Sequence, residues 1–261
     1  MGKLKNSVLR LKTPAEIEVL RAGGRRLARI IAKLVRAVRS GITTVELDKL
    51  AREEIKQAGG QPSFLNYQPV GAKRPFPAAL CVSVNDEVVH GIPGERGLLA
   101  GDIVSLDLGL EYEGLFTDMA VTVPVGRVSA LAANLIRVTA RALKLGIAAA
   151  RPGARLGDIG AAIEQFVTAR GFGLVREFGG HGVGFRVHEE PEVPNYGRAG
   201  QGLELQPGLV IAIEPMVTVG DGAVNIAAGG FTVRAEDNSL AAHFEHTIVV
   251  TEQGPEILTR I

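Results

Sequence analysis

A predicted β-hairpin between residues 103 and 125, IVSLDLGLEYEGLFTDMAVTVPV, carries one aspartate inside each of its two strands. Runs rich in Val, Leu and Thr around the polar turn EYEG predict the hairpin, yet strand interiors usually avoid Asp. Because side chains alternate between faces, Asp107 and Asp118 lie on the faces with the smaller side chains. Salt bridges or hydrogen bonds at a sheet edge would explain one such acid. Two acids in phase repel each other unless a cation lies between them.

Composition indicates a globular α/β protein that folds from one chain without disulfides. The 261 residues include 46% hydrophobic residues and 33 glycines, enough for a large core. Cys81 is the single cysteine, which favours a reducing compartment. The N-terminal sequence MGKLKNSVLRLK lacks the apolar core of a signal peptide, and no uncharged apolar stretch is long enough to cross a bilayer. We therefore expect a soluble, cytoplasmic protein with no membrane partner.

The first helix, predicted over about 14–39, is strongly basic. Residues 1–40 hold eleven Lys and Arg against two Glu, a net charge of +9, whereas the whole chain carries +1. Thr13 to Glu16 form a capping box with Pro14 at the first helical position. The basic side chains form a stripe at helical spacing: Arg21, Arg25, Arg29, Lys33 and Arg36. Such a stripe is either a solvated face or a contact with an acidic partner such as ribosomal RNA. No aromatic residue is interleaved with it, which favours the solvated face over the RNA contact. Sequence-specific nucleic-acid binding is not expected.

The chain repeats part of its own pattern, which predicts two related halves, about 41–126 and 153–254, within one catalytic domain, 1–261. In each half a Gly-bounded amphipathic helix precedes a histidine loop and two acid-bearing strands. The matching segments are GDIVSLD (101–107) with GLVIAIE (208–214), DMAVTVPVG (118–126) with EHTIVVTEQG (245–254), and VHGIP (89–93) with VHEEP (187–191). Asp107 thus corresponds to Glu214, and Asp118 to Glu245. Paired halves would bring these four carboxylates to a shared seam.

Four carboxylates together require positive charge, and divalent metal is the natural source because carboxylate oxygen and imidazole bind such ions well. Three of the five histidines lie in Gly/Pro-rich loops: His90, His181 and His188. An oxygen-rich site suits two ions such as Mn, Fe or Co. Two ions bridged by carboxylates and water generate hydroxide at neutral pH and polarise a carbonyl. The residues alone therefore predict metal-assisted hydrolysis.

The ordered series Asp107, Asp118, GHG at His181, HEEP at His188, IEPMV at Glu214 and EHTIVV at Glu245 resembles the type I methionine aminopeptidases, the short bacterial form within peptidase family M24. The resemblance extends from TPAEIEVLRAGG (13–24) to the last predicted strand. It implies the pita-bread fold of α/β (α+β) class, with a pseudo-twofold, mainly antiparallel sheet backed by helices. The implied reaction removes the initiator Met from nascent proteins and peptides when the second residue is small, by attack of a metal-bridging water.

The resemblance also implies roles for individual residues. Asp107 and Asp118 would bind metal, and Asp118 would bridge the two ions. His181 and Glu214 would complete the coordination of one ion, and Glu245 would bridge both. Two divalent ions, Co, Mn, Fe or Zn, are implied. Glu214 would also serve as general base, His188 would stabilise the tetrahedral intermediate, and His90 would contact the substrate backbone. The implied pocket for the Met side chain comprises Phe76, Cys81, Phe231 and Tyr67.

Each pocket residue can also be interpreted as an ordinary core residue. For Cys81, core packing is nearly as well supported as a role in lining the pocket. Val187 and Phe231 stand where related sequences often carry Phe and Trp, so the pocket is less well predicted than the metal site. We interpret His243 and His246 as structural. Nothing in the sequence requires an oligomer, and a monomer is expected.

Three alternatives compete with this interpretation. A same-fold Xaa-Pro aminopeptidase would need an additional substrate-binding domain, for which the twelve residues before the first helix leave no room. A catalytically inactive peptide-binding module would be expected to have broken ligands, and all five are intact. A two-metal phosphoesterase would need more positive residues near the acids.

Overall fold

The computed structural model describes residues 9–69 and 72–261. Three of its four α-helices begin at an N-cap side chain that accepts from a free backbone N–H group. Thr13 and Thr43 each form a capping box with the glutamate three residues later, as the sequence predicts for the first of them. The helices are α1 Pro14–Ala37, α2 Thr44–Gln57, α3 Ala130–Ala149 and α4 Leu156–Thr168. Helix α1 ends two residues before the predicted limit because Val38 is already extended.

The strands are short apart from the hairpin that carries the two aspartates. In chain order they are β1 Gln61–Pro62, β2 Leu80–Val84, β3 Glu87–Val89, β4 Ile103–Tyr112, β5 Leu115–Pro124, β6 Gly173–Leu174, β7 Gly180–Gly182, β8 Glu189–Val193, β9 Val210–Ile213, β10 Met216–Thr218, β11 Val224–Ile226, β12 Val233–Ala235, β13 Ala241–His243, β14 Glu245–Thr251 and β15 Gly254–Ile257.

Nine of these strands form one antiparallel sheet in the order β1-β4-β5-β14-β9-β7-β8, with β2 paired to β4 and β15 paired to β14. Two three-stranded sheets, β13-β10-β6 and β11-β12-β3, flank it. In the described part of the chain, no helix is long and apolar enough to span a membrane.

The hairpin formed by β4 and β5 is longer than the sequence indicates. The predicted turn EYEG contributes its first two residues to β4, so only Glu113 and Gly114 connect the strands. Both have positive φ, 49° and 79°, as a two-residue type I′ turn requires. The register pairs Asp107 with Ala120 and Gly109 with Asp118. Each aspartate therefore faces a small neighbour on the adjoining strand.

A pair of helices covers each half of the large sheet. Helices α1 and α2 bury Leu27 and Leu47 against Leu106 of β4 in one core cluster. Helices α3 and α4 bury their apolar faces with β9 and β14 in a second cluster that includes Ile211 and Ile248. Burying one large aliphatic side chain contributes about 1.5–3 kcal/mol. The helices thus cover one face of the sheet, and the acids lie on the opposite face, where the site forms.

Candidate metal centre

The five predicted metal ligands converge on one face of the large sheet. Cross-strand register explains this, because directly opposite residues share a face: Asp107 lies opposite Ala120, and Ala120 lies opposite Glu245. Glu214 follows directly after β9, whose last residue pairs with the neighbour of Glu245. His181 is the middle residue of β7. All five side chains are buried, with 2–9% of each residue exposed.

Measured separations group the ligand atoms into two overlapping clusters. The Nε2 atom of His181 lies 3.5 Å from Oε1 of Glu214 and 4.0 Å from Oε1 of Glu245. One ligand atom each of Asp118, His181 and Glu245 lie within 4.8 Å of one another. Glu214, His243 and Glu245 form a second group at the same spacing. The two groups share Glu245, one of the two residues, with Asp118, for which the family resemblance implies a bridging role.

The electrostatics of the cluster require a cation. Burial raises the pKa of Asp107 to about 7 and that of Glu214 to about 8. Burial and the neighbouring carboxylates raise the pKa values of Asp118 and Glu245 well above their ordinary range. The buried atoms Oδ1 of Asp107 and Oε1 of Glu245 find no hydrogen-bond partner within residues 9–69 and 72–261.

No Lys or Arg is among the described residues that line this site. Four carboxylates with one imidazole, two of the carboxylates each with a buried oxygen that lacks a donor, match the oxygen-rich coordination of hard or borderline divalent ions. The donor set therefore fits a metal centre.

Glycines flank His181 because the backbone comes too close there for any side chain. A Cβ atom on Gly180 would lie 2.2 Å from the carbonyl oxygen of Ala212, and one on Gly182 would lie 2.2 Å from that of Glu190. The Nδ1 atom of His181 lies 2.9 Å from the Gly182 carbonyl oxygen. With Nδ1–H donating to that carbonyl, the lone pair of Nε2 faces the carboxylates, which is the tautomer that a metal ligand needs.

His90 and His188 lie beside this cluster, as the sequence predicts for residues that contact substrate. His90 adopts a left-handed backbone conformation (φ 58°), which is uncommon outside glycine and concentrates at functional sites. The ring centroid of His188 lies 4.3 Å from that of His181, and its Nδ1 lies 2.9 Å from the Tyr67 hydroxyl. Burial lowers the pKa of both His90 and His188 to about 4, so both rings are neutral at pH 7.

An apolar cavity adjoins the acids. Phe76 and Phe231 line it and pack edge to face, with centroids 5.4 Å apart. Cys81 lines it as well and is also buried in the core, directly opposite Asp107 in the sheet, so both interpretations of this residue apply. Tyr67 packs against the same apolar cluster and reaches the site through His188.

Three residues around the site lie outside the predicted set of site residues. Phe64 and Pro69 line the cavity. His243, interpreted as structural, lies with Nε2 3.4 Å from Oε2 of Glu214. Strand periodicity could have found it, since it precedes Glu245 by two residues and so shares its face. His246 lies on the other face, with Nδ1 2.9 Å from the Thr259 hydroxyl.

Comparison with known proteins identifies the family. The model of metallopeptidase family M24 matches residues 18–252. Fold and site therefore define a metallopeptidase of family M24. The chain is 46% identical to the methionine aminopeptidase of Clostridium perfringens over 251 residues, which cover 96% of this chain and 98% of the relative. It thus belongs to the methionine aminopeptidase family.

Solved structures confirm the predicted pita-bread fold. The crystal structure of methionine aminopeptidase from Thermotoga maritima matches with a TM-score of 0.93 at 41% identity, over 97% of this chain and 100% of that one. The prolidase from Pyrococcus furiosus matches with a TM-score of 0.73 at 21% identity, over 96% of this chain and 65% of that one. At that identity the prolidase shows the fold alone.

Proposed function

We propose that this chain removes the N-terminal methionine from peptides and nascent proteins whose second residue is small. The observation that carries the proposal is that an acidic cluster and an apolar cavity adjoin in one site. Buried carboxylates and His181 open directly into an apolar cavity lined by Phe76 and Phe231. A free amino group belongs against the acids, and a thioether side chain belongs against the aromatic rings. A substrate so placed presents its first peptide bond to the site, which limits cleavage to one residue.

We propose that two divalent ions, Mn, Fe, Co or Zn, complete the site. Asp107, Asp118, His181, Glu214 and Glu245 would hold them. Such ions, when bound, compensate the four carboxylates, lower the pKa of water and polarise a carbonyl.

Residues of the chain would act as general base and hydrogen-bond donor and would orient the substrate. Glu214 lies in the buried cluster with Oε1 3.5 Å from Nε2 of His181, and once a bound cation has replaced its proton its carboxylate would serve as general base. Nδ1 of His188 lies 2.9 Å from the Tyr67 hydroxyl. With that hydroxyl as the donor, Nε2–H of His188 would be free to donate to the developing oxyanion. His90, fixed in its left-handed conformation, would orient the substrate backbone.

The test is release of free methionine from Met-Ala-Ser and Met-Pro-Ala by metal-stripped protein, before and after addition of Mn or Co. Release that depends on added metal, with a Leu-Ala-Ser control left intact, is the expected result. A folded protein that releases no methionine with any of these metals would instead act as a peptide-binding module. Cleavage confined to bonds before proline would favour the Xaa-Pro aminopeptidase alternative.

We also propose that helix α1 contacts ribosomal RNA while the enzyme acts on nascent chains. Part of the basic stripe is neutralised, because Arg21 pairs with Glu256 at 2.7 Å and Lys33 pairs with Glu54. Arg25 and Arg29 are exposed and form no ion pair with any residue the structure describes. Arg25→Glu combined with Arg29→Glu should reduce co-sedimentation with ribosomes, and unchanged co-sedimentation would exclude this contact.

We also propose a domain organisation, an oligomeric state and a cellular location for this chain. We propose a single catalytic domain of two related halves, about 41–126 and 153–254, supported by the helix pair that covers each half of the sheet. A monomer in the cytoplasm is proposed, in keeping with one buried cysteine. Size-exclusion chromatography with light scattering tests the oligomeric state.

A further inference from the structure

His243 is a buried histidine in contact with the metal centre but outside the predicted ligand set. It ends strand β13, is 1% exposed, and has Nε2 3.4 Å from Oε2 of Glu214. Neither ring nitrogen has a hydrogen-bond partner among the residues described by the structure. An unpaired polar group in the interior is destabilising. This cost suggests that the ring has a partner in the working site.

Glu214 lies between two imidazoles. Its Oε1 faces Nε2 of His181 at 3.5 Å, and its Oε2 faces Nε2 of His243. The two carboxylate oxygens therefore face different imidazole rings. Oε1 faces the predicted metal ligand His181, and Oε2 faces His243, which lies outside the predicted ligand set.

The backbone holds His243 in place. Its N–H donates to the Thr122 hydroxyl at 2.8 Å, and its carbonyl oxygen accepts from the same hydroxyl at 2.8 Å. Thr122 is itself 2.8 Å from the Ser105 hydroxyl on β4. The backbone that carries the ring is therefore tied to the same hairpin that carries the two aspartates.

Only one neutral tautomer suits this position. With the proton on Nε2, the ring directs an N–H at the carboxylate of Glu214. With the proton on Nδ1, it would direct a lone pair at a carboxylate oxygen and would also bury an N–H that lacks an acceptor among the described residues. The Nε2–H tautomer is a donor, and it cannot at the same time bind metal through that nitrogen.

We propose that His243 is a positioning residue of the metal centre. Its Nε2–H donates to Oε2 of Glu214 and keeps Oε1 turned toward His181. A small rotation of either side chain brings the 3.4 Å separation to hydrogen-bond length. The inference rests on the proposed function, because Glu214 is there assigned as metal ligand and base.

The test compares His243→Gln with His243→Met, two side chains of nearly equal length of which only glutamine carries an N–H donor. Mn²⁺ affinity of the metal-stripped variants is measured by calorimetry, after circular dichroism has shown that they are folded. We expect the methionine variant to bind Mn²⁺ about 10–100-fold more weakly than the wild type, and the glutamine variant to bind close to the wild type. His246→Gln, a change on the opposite face, should leave the affinity unchanged.

Equal affinities for the glutamine and methionine variants would overturn the proposal. Loss of one whole equivalent of metal in both would also overturn it, by making the ring itself a ligand. The tautomer is read independently from ¹⁵N spectra of the Zn-loaded wild type, in which Glu214 is ionised. A proton on Nε2 supports the proposal there, and a proton on Nδ1 contradicts it. A wild type that binds Mn²⁺ normally but releases no methionine would overturn the proposed function alone.

Discussion

Removing the metal should make the stability of this protein fall as the pH rises from about 6.5 to about 8.5. The reason is the set of four buried acids, of which Asp107 and Glu214 have pKa values raised by burial to about 7 and about 8. In the unfolded chain both have lost their protons well below this range. The folded metal-free protein therefore binds more protons than the unfolded chain, so its unfolding free energy decreases as these protons are lost.

The magnitude follows from the pKa values of Asp107 and Glu214. One pKa unit corresponds to about 1.4 kcal/mol. Across this pH range, titration of Glu214 removes about 2 kcal/mol of stability and that of Asp107 about 1 kcal/mol. For a chain of this size a loss of about 3 kcal/mol lowers the Tm by roughly 6–12 °C. Asp118 and Glu245, whose pKa values are also raised, add to this loss in the same direction. Below about pH 6.5 the lowered pKa values of His181 and His188 act in the opposite direction, because only the unfolded chain binds those protons.

The assay is thermal or urea unfolding of metal-free and Mn-loaded protein in parallel at about pH 6.5, 7.5 and 8.5. The loaded protein is the control, since burial also shifts the pKa values of Cys81 and Lys12 and does so in both forms. We expect the metal-free protein alone to lose stability with rising pH. Metal-free stability that is constant or increases over this range, relative to the loaded form, would refute the electrostatic account of the site.

Three substitutions test other parts of the site. Asp118→Asn should reduce activity at least about 100-fold and weaken metal binding in a folded chain; full activity with full metal occupancy would contradict the ligand assignment. Tyr67→Phe removes the hydroxyl 2.9 Å from Nδ1 of His188 and should lower kcat about 2–10-fold; an unchanged kcat would leave that contact without a catalytic role. Gly182→Ala should lower the unfolding free energy by about 1–3 kcal/mol and weaken metal binding, because the added carbon meets the Glu190 carbonyl at 2.2 Å. Gly94→Ala is its control, since the added carbon there meets no atom of the described residues within 4 Å; equal effects of the two changes on metal affinity would contradict the argument.

Local patterns in the sequence predict the acids and their strands because the relevant physics is local. Asp107 and Asp118 stand out against strand propensity, and alternation gives their face without knowledge of the fold. The capping box at Thr13 likewise depends on four consecutive residues. The sequence predicts a four-residue turn where the structure has two residues, because Glu111 and Tyr112 are polar or aromatic residues that fit either a turn or a strand end.

The cavity depends on contacts between distant segments, which no local pattern shows. Phe64 reaches the site from the segment after β1, and Cys81 lies opposite Asp107 only because β2 adds to the edge of β4. His243 differs from these, since its spacing from Glu245 placed it on the acid face. A lone histidine in an apolar run is usually structural, so its spacing alone does not predict a place at the site.

The most direct test of the central claim is mass spectrometry of a small folded protein that still carries its initiator methionine followed by alanine. Incubation with Mn-loaded wild type should reduce its mass by one methionyl residue and no further. The metal-stripped enzyme and the Asp118→Asn variant should leave it whole. A folded, metal-loaded wild type that leaves the methionine in place, or that continues past it, would contradict the assignment of this site to single-residue methionine removal.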